Sequence, residues 1–441
     1  MLAVVVSRAD AASEHIGDHL LELDAWTEHE DDRRSAAEGG GTYYRADGVE
    51  LRTFEDLHLH LDGAAAAFDD PDLLAFASQH SGDTGPLLTA HTSGNFGPAE
   101  YGGGEGSLAR AAPNALRAVR LAFGEHAPDG YDVGVECTHH GPSTVGCPSL
   151  FVELGSGEAE WADPDGAAAV ARSILALRGV ETTHYRTVVG FGGGHYAPRF
   201  DRILTETDWR VGHMAPDWAL EAMENPETAR AVVGKAFAMS GTEFALVDAD
   251  YPRLEAVIED LGFETVTETW LRETTGVPLA LVERLERVLS AIDDGLRLGS
   301  PAEGYEDEFV TADLPAELLE EAVGVDRDGT LEAVDALALA YDTLEGGTIL
   351  AGPVALVDAA DRRRIATELA AVLDAKYDAV EVHEDAVLAT RAAFDPDLAR
   401  AAGVEEGPAF GRLSGGESVE VDGETVAPDD VHTARERWFT L

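Results

Sequence analysis

The sequence predicts an α/β fold built on a mixed, largely parallel sheet flanked by helices. Three observations carry this: short runs rich in Val, Leu and Phe alternate with stretches of helical periodicity through residues 1–290, apolar residues make up 45% of the chain, and no internal repeat competes with that alternation. Leu2–Val6 is a continuous apolar run of strand length, and Ser13–Leu23 follows with helical spacing behind a serine suited to capping. Asp47-Gly48 fits a primed hairpin turn between Tyr43-Tyr44 and Leu51. A helix is expected over Pro71–Gln79, a strand over Leu87–Ala90 and a helix over Asn114–Phe123. Strands then follow at Tyr131–Val135 and Leu150–Leu154, a helix at Pro164–Leu177, and strands at Thr187–Gly190, Phe244–Val247 and Phe263–Trp270, the last two separated by a helix.

Length favours more than one core, since single cores rarely grow past about 250–300 residues. Gly, Pro and acids accumulate at 293–308, which is expected to be an acidic linker between a first domain over 1–292 and a smaller α+β extension over 309–441, to which the sequence assigns no role. In that extension Leu314–Ala322 and Asp361–Leu373 are expected as helices. Thr348–Val357 is expected as strands broken at Gly352-Pro353, and the Gly-punctuated end as a small β unit.

Asp and Glu number 84 against 31 Lys and Arg, for a formal net charge of −53, and Lys235 and Lys376 are the chain's only lysines. A disordered acidic tail would concentrate the charge and lack apolar residues, whereas here acids and apolar residues interleave along the whole chain. The pattern fits a solvated acidic shell whose self-repulsion is tolerable where molar salt shortens the Debye length to about 3 Å, hence a halophilic cytoplasm. The opening run reaches Ser7 and Arg8 too soon for a secretory segment, no stretch approaches the roughly 18 apolar residues of a membrane span, and Cys137 and Cys147 alone exclude a disulfide scaffold.

Three segments combine histidine with glycine, proline or hydroxyl residues directly after an expected strand: Thr89–Asn95 with His91, Glu136–Ser143 with His139 and His140, and Gly190–Arg199 with Gly192-Gly193-Gly194-His195. In an open α/β sheet such loops gather at the carboxyl edge, where ligand sites form. A lone histidine is usually structural, but His139 and His140 point different ways in extended chain, so one can face a pocket while the other fixes the loop. Glu136, three residues before His139, is placed to set an imidazole's tautomer or basicity. Gly193 and Gly194 offer backbone N–H donors for an oxyanion, and Arg199 suits an anionic substrate. His58-Leu59-His60-Leu61-Asp62-Gly63 begins like a metallo-β-lactamase metal motif, but Gly63 stands where that motif has its next histidine; strand alternation explains both imidazoles on one face.

Through those loops the sequence resembles the archaeal and plant-type D-aminoacyl-tRNA deacylase family. The carrying segments are Thr89–Asn95, Glu136–Pro142, Phe151–Ser156 with Trp161, and Gly192–Pro198, all within residues 1–275; the residues past about 300 fall outside the resemblance. The resemblance implies ester hydrolysis of D-aminoacyl-tRNA by a cytoplasmic monomer, zinc as cofactor in two copies per subunit, and a core related to peptidyl-tRNA hydrolase and the nucleoside phosphorylases. It puts His91, His139, His140 and His195 forward as metal ligands and Glu136, His139, His140, His195, Gly193 and Gly194 as catalytic groups. Asn95, Thr138, Glu153 and Arg199 are expected to contact substrate. The same histidines would also serve a zinc-dependent hydrolase or amidase on a small metabolite, and the glycine row a phosphate- or nucleotide-binding module without catalysis. tRNA as partner sets a polyanion against an acidic protein, a repulsion that only high salt screens; neither DNA nor a membrane is an expected partner.

Overall fold

β1 (Leu2–Ser7) is buried along its whole length, which a strand of Val, Ala and Leu tolerates only when both faces of its sheet are covered. It lies within a sheet ordered β2-β3-β4-β1-β5-β8-β6-β7, formed with β2 (Thr27–Asp31), β3 (Gly41–Ala46), β4 (Val49–Phe54), β5 (Leu73–Gln79), β6 (Leu87–His91), β7 (Asp132–Val135) and β8 (Ser149–Gly155). Here α1 is Ala11–Leu23, α2 is Pro113–His126, α3 is Glu158–Trp161 and α4 is Pro164–Leu175, and α1 and α4 pack together against β5. On the sheet's other side Leu61, Ala64 and Phe68 join Phe54, Phe76 and Phe151 in one apolar cluster.

A second sheet, ordered β10-β9-β11-β12, is parallel throughout: β9 (Thr187–Phe191), β10 (Arg210–Ala215), β11 (Phe244–Val247) and β12 (Glu264–Val266). Its helices are α5 (Pro198–Glu206), α6 (Asp217–Ala222), α7 (Pro226–Ser240), α8 (Pro252–Asp260) and α9 (Glu268–Glu273). The structure is a computed structural model that describes residues 1–223, 226–347 and 349–441, and the chain divides into the units Met1–Thr275 and Gly276–Leu441. The second unit has α10 (Leu279–Val288), then an antiparallel sheet of β13 (Leu296–Leu298), β14 (Val310–Asp313), β15 (Ala338–Leu344) and β16 (Ile349–Leu356). Around its core lie α11 (Ala316–Val325), α12 (Arg327–Asp335) and α13 (Asp361–Val372).

The mixed, largely parallel sheet matches the expected fold class, and several local expectations are corrected. Residues 71–79 form no helix: Leu73–Gln79 is the interior strand β5, because an apolar run of this length reads equally as buried helix or strand until its neighbours decide. Phe263–Trp270 stops as a strand at Val266, where Thr267 caps α9 by accepting from the Trp270 N–H. Ser13 is not the cap of α1; Asp10 is, and it accepts from the Ser13 N–H at 2.9 Å. The segment 293–308 is not a free linker, since Leu296–Leu298 pairs with Ala340–Asp342 inside the second unit's sheet. Ile349–Leu356 runs through Gly352-Pro353 as one strand, with register shifts against β15 that absorb the break, while Thr348 lies outside the described residues.

Candidate active site

β6 and β7 run parallel to each other but antiparallel to β8, while β8 and β5 run parallel, so the loops after β6 and β7 do not share a carboxyl edge with β5, and the His195 loop follows β9 of the other sheet. Instead, the groups gather over the sheet beside the interior of β8. His91, the last residue of β6, stands opposite Phe151, and its ring stacks on that phenyl at 5.0 Å. His139 and His140 follow β7, with ring centroids 4.5 and 4.6 Å from that of His91 and 4.4 Å from each other.

The backbone sets the protonation pattern of this triplet. His91 Nδ1 lies 3.0 Å from the Thr92 carbonyl, His139 Nδ1 2.9 Å from the Cys137 carbonyl, and His140 Nδ1 2.9 Å from the Gly141 carbonyl. A carbonyl only accepts, so each ring donates its Nδ1–H and keeps a lone pair on Nε2. Ring nitrogens of the three residues come within 4.8 Å of one another, the arrangement of a possible metal site. The orphaned Nε2 of buried His91 fits such a role, as do the carbonyl-anchored Nδ1–H groups that orient metal-binding histidines. Burial and the neighbouring imidazoles push His139 and His140 well below the usual histidine range, which keeps them neutral. At His91 burial acts the same way but is outweighed by Glu153, 3.5 Å from Nε2, and by Glu136, so its affinity for positive charge is raised. Carboxylates that favour a proton at Nε2 favour a metal cation there by the same attraction.

Glu136 is fully buried, and neither of its oxygens receives a well-aligned hydrogen bond. Its Oε2 lies 2.6 Å from His195 Nε2 and 3.7 Å from His139 Nε2, and its Oε1 3.5 Å from His80 Nε2. Burial raises this carboxyl, but His195, His91, His139 and His80 together bring it down to about 2, so it is ionised. Glu153 differs: burial raises it beyond what His91 offsets, and Glu136 adds to the rise. Cys137, His139 and His195 make a second candidate ligand set and His80, Glu136 and His195 a third. The Cys137 thiol, 3.9 Å from His195 Nδ1, is pushed up by burial.

These groups border a cleft of about 380 Å³ that Asp10, His58, His80, His140, Glu153 and His195 help to line. The expected residues His139, His140, His195 and Glu153 thus share one cleft, with His91 and Glu136 packed against them. Other expectations do not hold. Gly193 donates its N–H to Asp217 Oδ1 at 2.7 Å and is therefore engaged, not open to an oxyanion. The Asn95 amide donates to the Gly102 and Gly104 carbonyls and so holds a loop in place of substrate. Arg199 is paired with Asp248 at 2.8 Å and Glu268 at 2.9 Å, which leaves it no free charge for an anion. The Thr138 hydroxyl is buried between Thr92 and His213. His58 and His60 lie on a 3-10 turn, one buried and one exposed, so strand alternation does not explain them.

His80 and Asp10 line the cleft without having been foreseen. The signal for His80 was its place directly after an apolar run, hidden by reading Leu73–Gln79 as helical. Asp10 carried only the signal of a helix cap.

A family profile described as D-aminoacyl-tRNA deacylase matches residues 67–266. A D-aminoacyl-tRNA deacylase of Natronomonas pharaonis is 70% identical, with each chain covered in full. One of Halorubrum lacusprofundi is 52% identical over 100% of this chain and 97% of its own. This coverage includes the residues past 300 that the sequence resemblance left out. Among solved structures, the crystal structure of a conserved protein of unknown function matches with a TM-score of 0.56 and 29% identity over 62% of this chain and 98% of that one.

Proposed function

The chain belongs to the D-aminoacyl-tRNA deacylase family, and from that premise we propose how its cleft hydrolyses the ester between a D-amino acid and tRNA, releasing both. What supports this reading most is the meeting of three Nε2 lone pairs beside a buried, ionised carboxylate. His91, His139 and His140 would hold one divalent ion, zinc by preference for an all-imidazole set, which leaves Glu136 and His195 to move protons. When bound, such an ion supplies a water acidified toward neutral pH and polarises the ester carbonyl.

The chain's own groups do the rest. Glu136, held ionised by the imidazoles, accepts the proton of the attacking water at Oε1, the oxygen not in contact with His195 Nε2. His195, whose Nε2 lies 2.6 Å from Oε2 of that carboxylate and whose side chain is 35% exposed, carries the proton toward the leaving ribose oxygen. Phe151 walls the imidazoles and keeps bulk water from the reacting carbonyl.

Among the described residues no helix is long and apolar enough to cross a membrane. The proposal includes a monomer working in the cytoplasm, with tRNA as the macromolecular substrate. Deacylation of matched D- and L-tyrosyl-tRNA at high salt, with and without a chelator, tests it together with His140→Ala. The expected result is D-selective turnover that falls on chelation and is lost in the variant; unaltered turnover in His140→Ala would overturn the assignment.

A further inference from the structure

The cleft that His140 and Glu153 line is lined by a second polar pair, Asp10 and His58. Asp10 is 1% exposed, and its contacts come from uncharged groups: the Ser13 N–H at 2.9 Å on Oδ1, and the Gln79 N–H at 2.9 Å and Ser78 Oγ at 3.5 Å on Oδ2. Among the described residues its one ion-pair neighbour is His58, whose Nδ1 lies 3.6 Å from Oδ2.

The hydrogen bonds around His58 fix which nitrogen carries its proton. Ser13 Oγ has one hydrogen, and it goes to the Ala77 carbonyl at 2.5 Å. His58 Nε2, 3.2 Å from the same Oγ, must therefore donate to it, and the neutral ring turns the Nδ1 lone pair toward Asp10. Burial keeps this ring neutral. A carboxylate oxygen and an imidazole lone pair thus face each other in a cleft wall with, among the described residues, no donor between them and no cation to balance the charge. Buried charges are ordinarily paired. Capping α1 explains Oδ1 and would be served as well by Asn or Ser; it does not explain an unbalanced carboxylate lining the cleft.

We propose that Asp10 Oδ2 and His58 Nδ1 receive the α-ammonium of the aminoacyl group. This rests on the reading of the cleft as a deacylase site. An ammonium brings both the missing charge and several donors, and every aminoacyl ester carries one one carbon away from the scissile carbonyl. With the carbonyl beside the ion that the histidines would hold and the ammonium at Asp10, two substituents of the α-carbon are fixed. Inverting the centre exchanges the side chain and the hydrogen, so with these two contacts fixed the cleft wall that meets the side chain becomes the third contact that configuration decides.

The test compares D-tyrosyl-tRNA with N-acetyl-D-tyrosyl-tRNA, which keeps the ester and loses the charge. Wild type should favour the free amine in kcat/KM by about 10- to 100-fold, the range of a charged hydrogen bond. Asp10→Asn, which retains the cap acceptor, should bring that ratio near one by slowing the free-amine substrate alone. Inhibition of wild type by D-tyrosinamide, against N-acetyl-D-tyrosinamide, gives the same comparison without a variant. Equal rates or equal inhibition by the two forms in wild type, or an unchanged ratio in Asp10→Asn, would overturn the ammonium site. Failure of wild type to hydrolyse either ester would instead overturn the deacylase reading.

Discussion

Two carboxyls in one cleft are driven in opposite directions, and each yields a measurable consequence. Glu136 is ionised because four imidazoles surround it, so Glu136→Gln keeps the shape but removes the proton acceptor. Its kcat on D-tyrosyl-tRNA should fall by about 100- to 10,000-fold, with KM little changed; a KM effect alone would make Glu136 a binding group. Asp10 is raised from 3.8 to about 6, chiefly by burial. Below 3.8 the folded and unfolded chains both hold this proton, so the stability it allows is fully present there. Between 3.8 and about 6 the unfolded chain has ionised this carboxyl while the folded protein still holds its proton, so stability falls, by at most about 3 kcal/mol, and the loss is complete once pH has passed about 6. Asp10→Asn should therefore melt increasingly above wild type as pH rises from about 4 to about 6 and keep that lead at higher pH. A difference in Tm that stays constant during that rise contradicts the burial argument.

Secondary-structure elements explain which residues were legible in the sequence. Glu136, His139 and His140 were readable because they follow a strand closely and bring chemistry-bearing side chains together in one short loop. The glycine turn was legible as a turn but not as to what it binds: the Asp217 carboxylate that takes the Gly193 amide comes from the start of α6, 24 residues on. Arg199 was misread for the same reason, since Asp248 and Glu268 reach it from after β11 and from α9. Such partners depend on packing between elements and leave no local pattern. If Arg199 ties α5 to its neighbours, Arg199→Ala should lower stability by about 0.5–1 kcal/mol, a small effect because the pair is partly solvated, and should leave KM for the tRNA substrate alone at high salt. A rise in KM with unchanged Tm would restore it as a substrate contact. His80 shows the opposite limit: its strand was visible as an apolar run, and only the choice between helix and strand hid the histidine at its end.

At the scale of the whole molecule, the composition governs how the enzyme meets its substrate. A net charge of −53 repels a polyanion, and arginines that could have offset it, such as Arg199 and Arg120, are already paired with acids. Proteins that bind nucleic acid through free lysines and arginines lose affinity as salt rises, because bound counterions are released into a more concentrated solution. Here mutual repulsion outweighs that loss, and its range shrinks from about 8 Å at physiological ionic strength to about 3 Å at 1 M. KM for D-tyrosyl-tRNA should therefore fall as KCl is raised from about 0.5 M to about 3 M. A small substrate such as D-tyrosine methyl ester, which carries no phosphate, should respond far less over the same range once the protein is folded. Following both substrates in parallel separates screening from salt-dependent folding, because loss of the folded state at low salt depresses both rates together. A KM for tRNA that climbs steadily with salt would mean that free cations, and not screened repulsion, bring the acceptor end to the cleft.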